Sequence, residues 1–233
     1  MIFNKSDSGY ILRWSKKIRA ANILGGKCYI CGNDNVRVLE FHHKNTNIKE
    51  EEIGALLQRR WSCLEKELLK CQLVCSSCHQ ELHVLEGAVD IRIRQLKRDL
   101  LKHKGVNSCQ DCGFSSETNA GLDFHHRVAT EKTFGISKQV IRSKSITEGI
   151  LNELTKCDVL CRNCHALRHF DGVRFEKLRN EMYKKIDSYK ELQAPINKKT
   201  VFDMYNNGMK QIEIAKFLKC SKATICKIIK DGP

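Results

Sequence analysis

The chain has 233 residues, with 41 lysines and arginines against 27 aspartates and glutamates, for a formal net charge of +14. That length allows one large domain or two to three small ones, and the charge favours a polyanionic partner, nucleic acid ahead of an anionic membrane surface. No apolar run approaches the roughly 20 residues of a membrane span, and Met1 to Tyr10 has neither the apolar stretch nor the cleavage pattern of a secretory signal, so neither a membrane protein nor a secreted one is expected.

Aromatic residues are sparse, and small domains with modest cores usually need staples. Thirteen cysteines can supply them as disulfides or as metal ligands. The count is odd, and eight of the cysteines sit in C-x2-C pairs that are completed by histidines. Metal binding in a reducing, intracellular compartment is therefore expected over disulfides: the cytoplasm, or a host cytoplasm if the chain is viral.

In chain order, Tyr10 to Ala21 reads as a basic helix (Arg13, Lys16, Lys17, Arg19) that Gly25-Gly26 stops. A Cys/His pattern follows: Cys28-x2-Cys31, then Phe41-His42-His43, then Cys75-x2-Cys78-His79-x3-His83. Val89, Ile93, Leu96 and Leu100 then recur at helical spacing amid basic residues, and Lys104-Gly105 ends that helix. The pattern returns as Cys109-x2-Cys112, Phe124-His125-His126 and Cys161-x2-Cys164-His165-x3-His169. Eight of the nine histidines fall in these two copies. Two copies are too few for a solenoid, so two related domains are expected. Phe175, Leu178, Met182, Ile186 and Tyr189 form a further helical stripe, read as a packing or connecting helix, and Ala194-Pro195 looks like a hinge. After Lys198 come three short helices, Val201 to Tyr205, Gln211 to Leu218, and Ser221 to Lys230, with Ser221 placed as a cap.

In each copy, two C-x2-C pairs far apart in sequence can close a tetrahedral four-cysteine zinc site: Cys28, Cys31, Cys75 and Cys78 in the first, Cys109, Cys112, Cys161 and Cys164 in the second. Such zinc contributes directly to folding. The histidines need a different place. His165 and His169 are four apart on a helix and share a face, whereas Cys164 and His165 are adjacent and lie about 100° apart around the axis. The helix thus presents cysteine to one ion and histidine to another. On the strand-like Leu122 to His126, the side chains of His125 and His126 point to opposite sides. One can bind a metal, and its neighbour is free for proton transfer. The alternatives are that the histidines extend the zinc cluster or sit on the surface.

With those residues in view, both copies resemble the HNH endonucleases, the ββα-metal nucleases, in a zinc-stapled form common in phages and mobile elements. The second copy is the closer match, in Cys109-Gln-Asp-Cys-Gly113, Leu122-Asp-Phe-His-His-Arg127, Glu131 to Ser137, and Lys156 through His169. The first keeps Leu39-Glu-Phe-His-His-Lys44 and Leu73 to His83 but lacks the Phe-Gly-Ile-Ser stretch. The matches cover roughly residues 25–85 and 106–170. The resemblance implies that His125, His165 and His169 hold a catalytic divalent ion with His126 as general base; the matching set is His42, His79 and His83 with His43. It implies magnesium or manganese as the working ion, although three imidazoles also suit zinc or nickel. The family's middle asparagine is expected near Lys156-Cys157 and Lys70-Cys71, and neither place holds one. Arg127 and Lys44, directly after the bases, are candidate phosphate contacts, or else ordinary solvated cations.

The last segment is similar to the small helix-turn-helix tails of resolvases and homing nucleases. Ala215, a turn at Lys219-Cys220 and Ile225 occupy the small, turning and apolar places, with lysine where the turn glycine is usual. Lys222, Ala223, Cys226 and Lys227 would then face the DNA major groove.

The expected architecture is α+β: two small ββα-metal (HNH) modules with four-cysteine zinc knuckles, connecting helices and an all-α helix-turn-helix. The expected bounds are 1–86, 87–171, 172–195 (a linker helix) and 196–233. The expected function is hydrolysis of double-stranded DNA by a monomer acting as a pseudo-dimer, one centre per strand, of homing or phage type. The alternatives are a zinc-stabilised DNA-binding protein with inactive modules and a structure-selective or RNA-directed nuclease.

Overall fold

The computed structural model describes residues 5–187, 198–218 and 222–231. The chain is α+β and mostly helical, and it divides into two compact units, residues 1–186 and 187–233. The Ala194-Pro195 hinge, the Lys219-Cys220 turn and the Ser221 cap lie outside the described residues. No helix among the described residues is long and apolar enough to cross a membrane.

The first unit is one pattern executed twice. Helix α1 (Lys5–Ile23) runs into Gly25 and Gly26, both at positive φ, and then into the first cysteine knuckle. Strand β1 (Leu39–His43) pairs antiparallel with β2 (Cys71–Cys75), and helix α4 (Ser76–Leu85) leaves the end of β2 directly. Between the strands lie α2 (Ile53–Leu56) and α3 (Trp61–Leu68). The second copy follows the same course. Helix α5 (Ile91–Lys104) is capped by the Asp90 side chain and ended by Gly105 at φ +70°. Strand β3 (Leu122–His126) pairs with β4 (Cys157–Cys161), with α6 (Ile136–Ser143) and α7 (Glu148–Thr155) between them and α8 (Arg162–Arg168) after them.

The register is identical in both hairpins. Leu39 faces Cys75 and His43 faces Cys71; Leu122 faces Cys161 and His126 faces Cys157. A two-stranded hairpin is marginal alone, and each is buried by helices. Ala21, Val38, Leu39, Leu73 and Val74 pack around Cys28, Cys75 and Cys78 in the first copy; Leu101, Leu122, Val159 and Leu160 pack around Cys109 and Cys161 in the second. The helices between the strands form a second layer. Ile53, Leu56, Leu64 and Leu68 bury against Ala20, and Ile136, Val140, Ile150 and Leu154 bury against Leu100. Helix α9 (Gly172–Asp187) packs back on α1 through Phe175, Leu178 and Met182 against Ile11 and Ile18. The Trp14 and Phe175 rings meet edge to face at 4.9 Å.

The copies join where α4 and α8 begin. Ser77 and Asn163 occupy the same place in their respective C-x2-C pairs, and each caps the other's helix. Ser77 N–H donates to Asn163 Oδ1 at 3.1 Å, and Asn163 N–H donates to Ser77 Oγ at 3.2 Å. Nearby, Gly121 N–H donates to Glu81 Oε1 at 2.6 Å, and Gly121 O accepts from Arg162 N–H. A Cβ at Gly121 would meet the Ser77 carbonyl oxygen at 3.0 Å and Phe114 Cε1 at 3.1 Å. Ser77 is held by the joint and Phe114 by the second copy's apolar cluster, so Gly121→Ala is expected to cost about 1–3 kcal/mol. The measurement is a lower denaturant midpoint at unchanged m-value, and an unmoved midpoint would show that this joint yields.

The second unit packs α10 (Lys198–Asn206), α11 (Gln211–Phe217) and α12 (Lys222–Asp231) around Val201, Ile214, Ala215 and Ile225. Ala215 and Ile225 are thus core residues, while Lys222 and Lys227 are exposed on α12.

Candidate metal centre

The cysteines are gathered by local backbone chemistry. In each knuckle a glycine at positive φ, Gly32 (+74°) or Gly113 (+73°), lets the chain turn so that its N–H reaches the carbonyl of the first cysteine at 2.9 Å. The knuckle is then pinned to the hairpin: Tyr29 N–H donates to Leu73 O and Gln110 N–H to Val159 O. This brings Cys28 and Cys31 beside Cys75 and Cys78, and Cys109 and Cys112 beside Cys161 and Cys164. Every described cysteine is a free thiol. The Cys31–Cys75 and Cys112–Cys161 sulfurs are each 3.7 Å apart. A disulfide needs about 2.05 Å, whereas four sulfurs on arms of about 2.3 Å around one zinc ion lie roughly 3.8 Å apart.

The electrostatics also call for a cation. Cys75 is held down at about 4, chiefly by its hydrogen bond with Cys78, and Cys78 is in turn pushed far up by Cys75 and by burial. Cys164 is likewise pushed far up, by burial first and then by its neighbouring thiols. Four thiolates cannot share such a pocket unless a positive charge sits among them. Both quartets therefore fit structural zinc.

The imidazoles form separate groups. His42 meets His79 and His83, and His125 meets His165 and His169; within each trio the candidate donor atoms lie within 4.8 Å of one another. Ring centroids in the second trio are 5.0–5.2 Å apart. An acidic residue two positions before the strand histidine, on the same face of the strand, holds the helix histidine. His79 Nδ1–H donates to Glu40 at 2.5 Å, and His165 Nδ1–H donates to Asp123 at 3.2 Å. That leaves Nε2 of both free to ligate an ion. Burial tends to raise Asp123, but the bond from His165 and the Lys97 charge outweigh it and hold the carboxyl below its ordinary value. His125 is depressed by burial and by the His165 and His169 charges, and His83 by burial and by His79 and His42, so crowding favours the neutral, ligating form.

Strand alternation turns the next histidine the other way. His43 Nε2 meets Glu67 Oε1 at 2.8 Å, and His126 Nε2 meets Glu153 Oε1 at 2.8 Å. Both carboxylates are buried. Burial would raise Glu153, but Lys156, the Thr133 N–H, His126 and the Phe134 N–H together hold it at about 2; Glu67 is held at about 2 by Lys70, the Glu50 N–H, His43 and the Glu51 N–H. An ionised carboxylate only accepts, so Nε2 of each histidine carries a hydrogen, and in the neutral ring Nδ1 carries the lone pair. Neither glutamate is among the candidates read from the sequence. Their signal is the repeated Glu67-Leu-Leu-Lys-Cys71 and Glu153-Leu-Thr-Lys-Cys157.

No family model, curated protein or solved structure matches this chain. The site must therefore speak through its own geometry. Arg127 is engaged within the chain, donating to the Thr155 and Cys157 carbonyls and to Asp158. Lys44 is exposed.

Proposed function

We propose that this protein is a metal-dependent DNA endonuclease of the HNH type, with its hydrolytic centre in the second module and a matching residue set in the first. One observation carries the reading. Strand β3 carries His125, which gathers with His165 and His169 on one side, and His126, which meets a buried carboxylate on the other, and this pairing of a candidate metal trio with a braced imidazole on consecutive residues supports a hydrolytic centre.

A divalent ion bound by His125, His165 and His169, magnesium or manganese by the family resemblance, would neutralise a phosphate oxygen and stabilise charge on the leaving oxygen. The remaining work belongs to the chain. Asp123 fixes the His165 ring through Nδ1. Glu153 fixes the His126 tautomer, so Nδ1 is the atom that takes a proton from the attacking water. Lys156, 2.7 Å from Glu153, keeps that carboxylate ionised. The net charge of +14 favours DNA, and the exposed Lys222 and Lys227 on α12 suit a helix-turn-helix that contacts duplex.

The test is cleavage of supercoiled plasmid by the full chain with magnesium or manganese. Nicked or linear product with 5′-phosphate ends is expected, and His126→Ala is expected to slow it at least about 100-fold. Equal rates for variant and wild type would overturn the site. A wild-type chain that binds DNA but leaves it uncut with both ions would favour the zinc-stabilised binding protein.

A further inference from the structure

The two histidine trios are not equivalent, and the difference lies one turn beyond the last ligand. Helix α4 runs to Leu85 with Glu86 as its C-cap, whereas α8 stops at Arg168 with His169 as its C-cap. The longer helix adds a carboxylate. His79, His83 and Glu86 stand at i, i+4 and i+7, which is one face of a helix. Glu86 Oε1 lies 2.9 Å from His42 Nε2, and Glu86 Oε2 lies 3.7 Å from His83 Nδ1. Nitrogen and oxygen donors on arms of about 2.0–2.1 Å around a four-coordinate ion sit roughly 3.3 Å apart; Oε1 is at hydrogen-bond distance from His42, so the carboxylate has to shift slightly off the ring to face the same ion as the trio. In the second module the same step from His165 reaches Gly172, which has no side chain. The first trio is also the more enclosed: His42 is 3% exposed, and His83 is half-buried where His169 is exposed.

We infer that Glu86 is the fourth protein donor of a His42–His79–His83–Glu86 metal site, which takes a tightly held transition-metal ion such as zinc, cobalt or manganese. The second module offers three donors and leaves room for water and a phosphate oxygen. Catalytic sites keep an open position, while closed sites hold structural ions. The modules then divide the labour, the first holding an ion for the fold and the second binding one for hydrolysis. This rests on the reading of the histidine trios as metal sites, not on cleavage itself.

The experiment is a Co2+ titration of the full chain with zinc already in its cysteine quartets, followed by visible d–d absorption. Two imidazole-site ions are expected, assigned by their separate loss in His79→Ala and His165→Ala. The ion lost in His79→Ala should bind at least about tenfold tighter than the other. Glu86→Ala should weaken that ion at least about tenfold, and Glu86→Gln should weaken it less; in both, the ion lost in His165→Ala should keep its affinity. Glu86 is a half-exposed helix end, and bound zinc measured in each variant confirms that the fold persists. Unchanged affinity and spectrum in Glu86→Ala would make the carboxylate only a hydrogen-bond partner of His42 and overturn the proposal, as would the absence of any ion at the first trio. Plasmid cleavage is read separately. Cobalt binding as expected with no cleavage sinks the nuclease reading alone, and cleavage with a silent Glu86→Ala titration sinks this inference alone.

Discussion

Chelating the zinc from the intact chain is expected to abolish the cooperative unfolding transition of residues 1–186 while leaving the helices of residues 198–218 and 222–231 in place. Each hairpin has only five residues per strand, and its apolar cluster closes around the cysteines themselves. Structural zinc in small zinc-finger folds contributes about 10–16 kcal/mol of apparent binding energy, whereas a whole domain is stable by about 5–15 kcal/mol. Loss of either quartet therefore exceeds what the remaining packing supplies. The reciprocal caps between Ser77 and Asn163 stand inside the two C-x2-C pairs, so the quartets should fail together. Cys161→Ser is expected to loosen zinc held by Cys28, Cys31, Cys75 and Cys78 as well as its own. The measurements are zinc per chain by mass spectrometry, calorimetric unfolding, and far-ultraviolet dichroism for the residual helix. Two zinc ions per chain are expected in the quartets at the start. A chain stripped of metal that still unfolds at the same temperature would remove zinc from the account of this fold.

Much of this architecture was legible because a few residue types admit few uses. C-x2-C pairs with a glycine behind them announce knuckles, and period two across Phe124-His125-His126 separates the paired histidines before any coordinates are known. The stripes in α5 and α9 likewise follow from apolar spacing, and Gly105 ends α5 where it was expected. The helices between the strands were not legible. Residues 53–68 and 136–155 break into short helices, from four to eight residues long, too brief for periodicity to register. Their importance is tertiary. They carry Glu67 and Glu153 under the hairpins, and a glutamate in a polar-looking helix reads in sequence as a solvated charge. Glu40, Asp123 and Glu86 escaped for the same reason: an acidic residue next to a metal motif declares itself only when a ring nitrogen is found against it. Aligning the two copies on their histidines would have exposed the repeated Glu-Leu-x-Lys-Cys, which is local sequence with a non-local purpose.

Glu153 should be the residue whose loss is felt in stability and in cutting at once. It is 2% exposed and serves four partners: His126, Lys156 and the N–H groups of Thr133 and Phe134. Glu153→Ala strands His126 and the two N–H groups, while Lys156 keeps the Glu131 carbonyl and the Thr133 hydroxyl; removing one member of a buried charged network costs about 3–5 kcal/mol. Glu153→Gln keeps the volume and one carbonyl acceptor, so it should cost less. Because Glu153 is held at about 2 in the folded chain, below the ordinary carboxylate value of about 4.3, its contribution is complete above that ordinary value. It fades as pH falls toward 2. In cleavage, the glutamine variant separates positioning from folding. Its amide can accept from Nε2–H but can equally turn its NH2 toward the ring, which would move the hydrogen of His126 to Nδ1 and remove the lone pair from the atom that takes the proton. A fall in kcat of at least about tenfold with KM unchanged is expected at a temperature where Glu153→Gln is fully folded. Glu153→Asp should recover part of that loss, since it restores the charge but not the reach. If the glutamine variant, folded and loaded with metal, turns over like wild type, Glu153 holds the hairpin and nothing more, and the choice of Nδ1 as the proton acceptor fails with it.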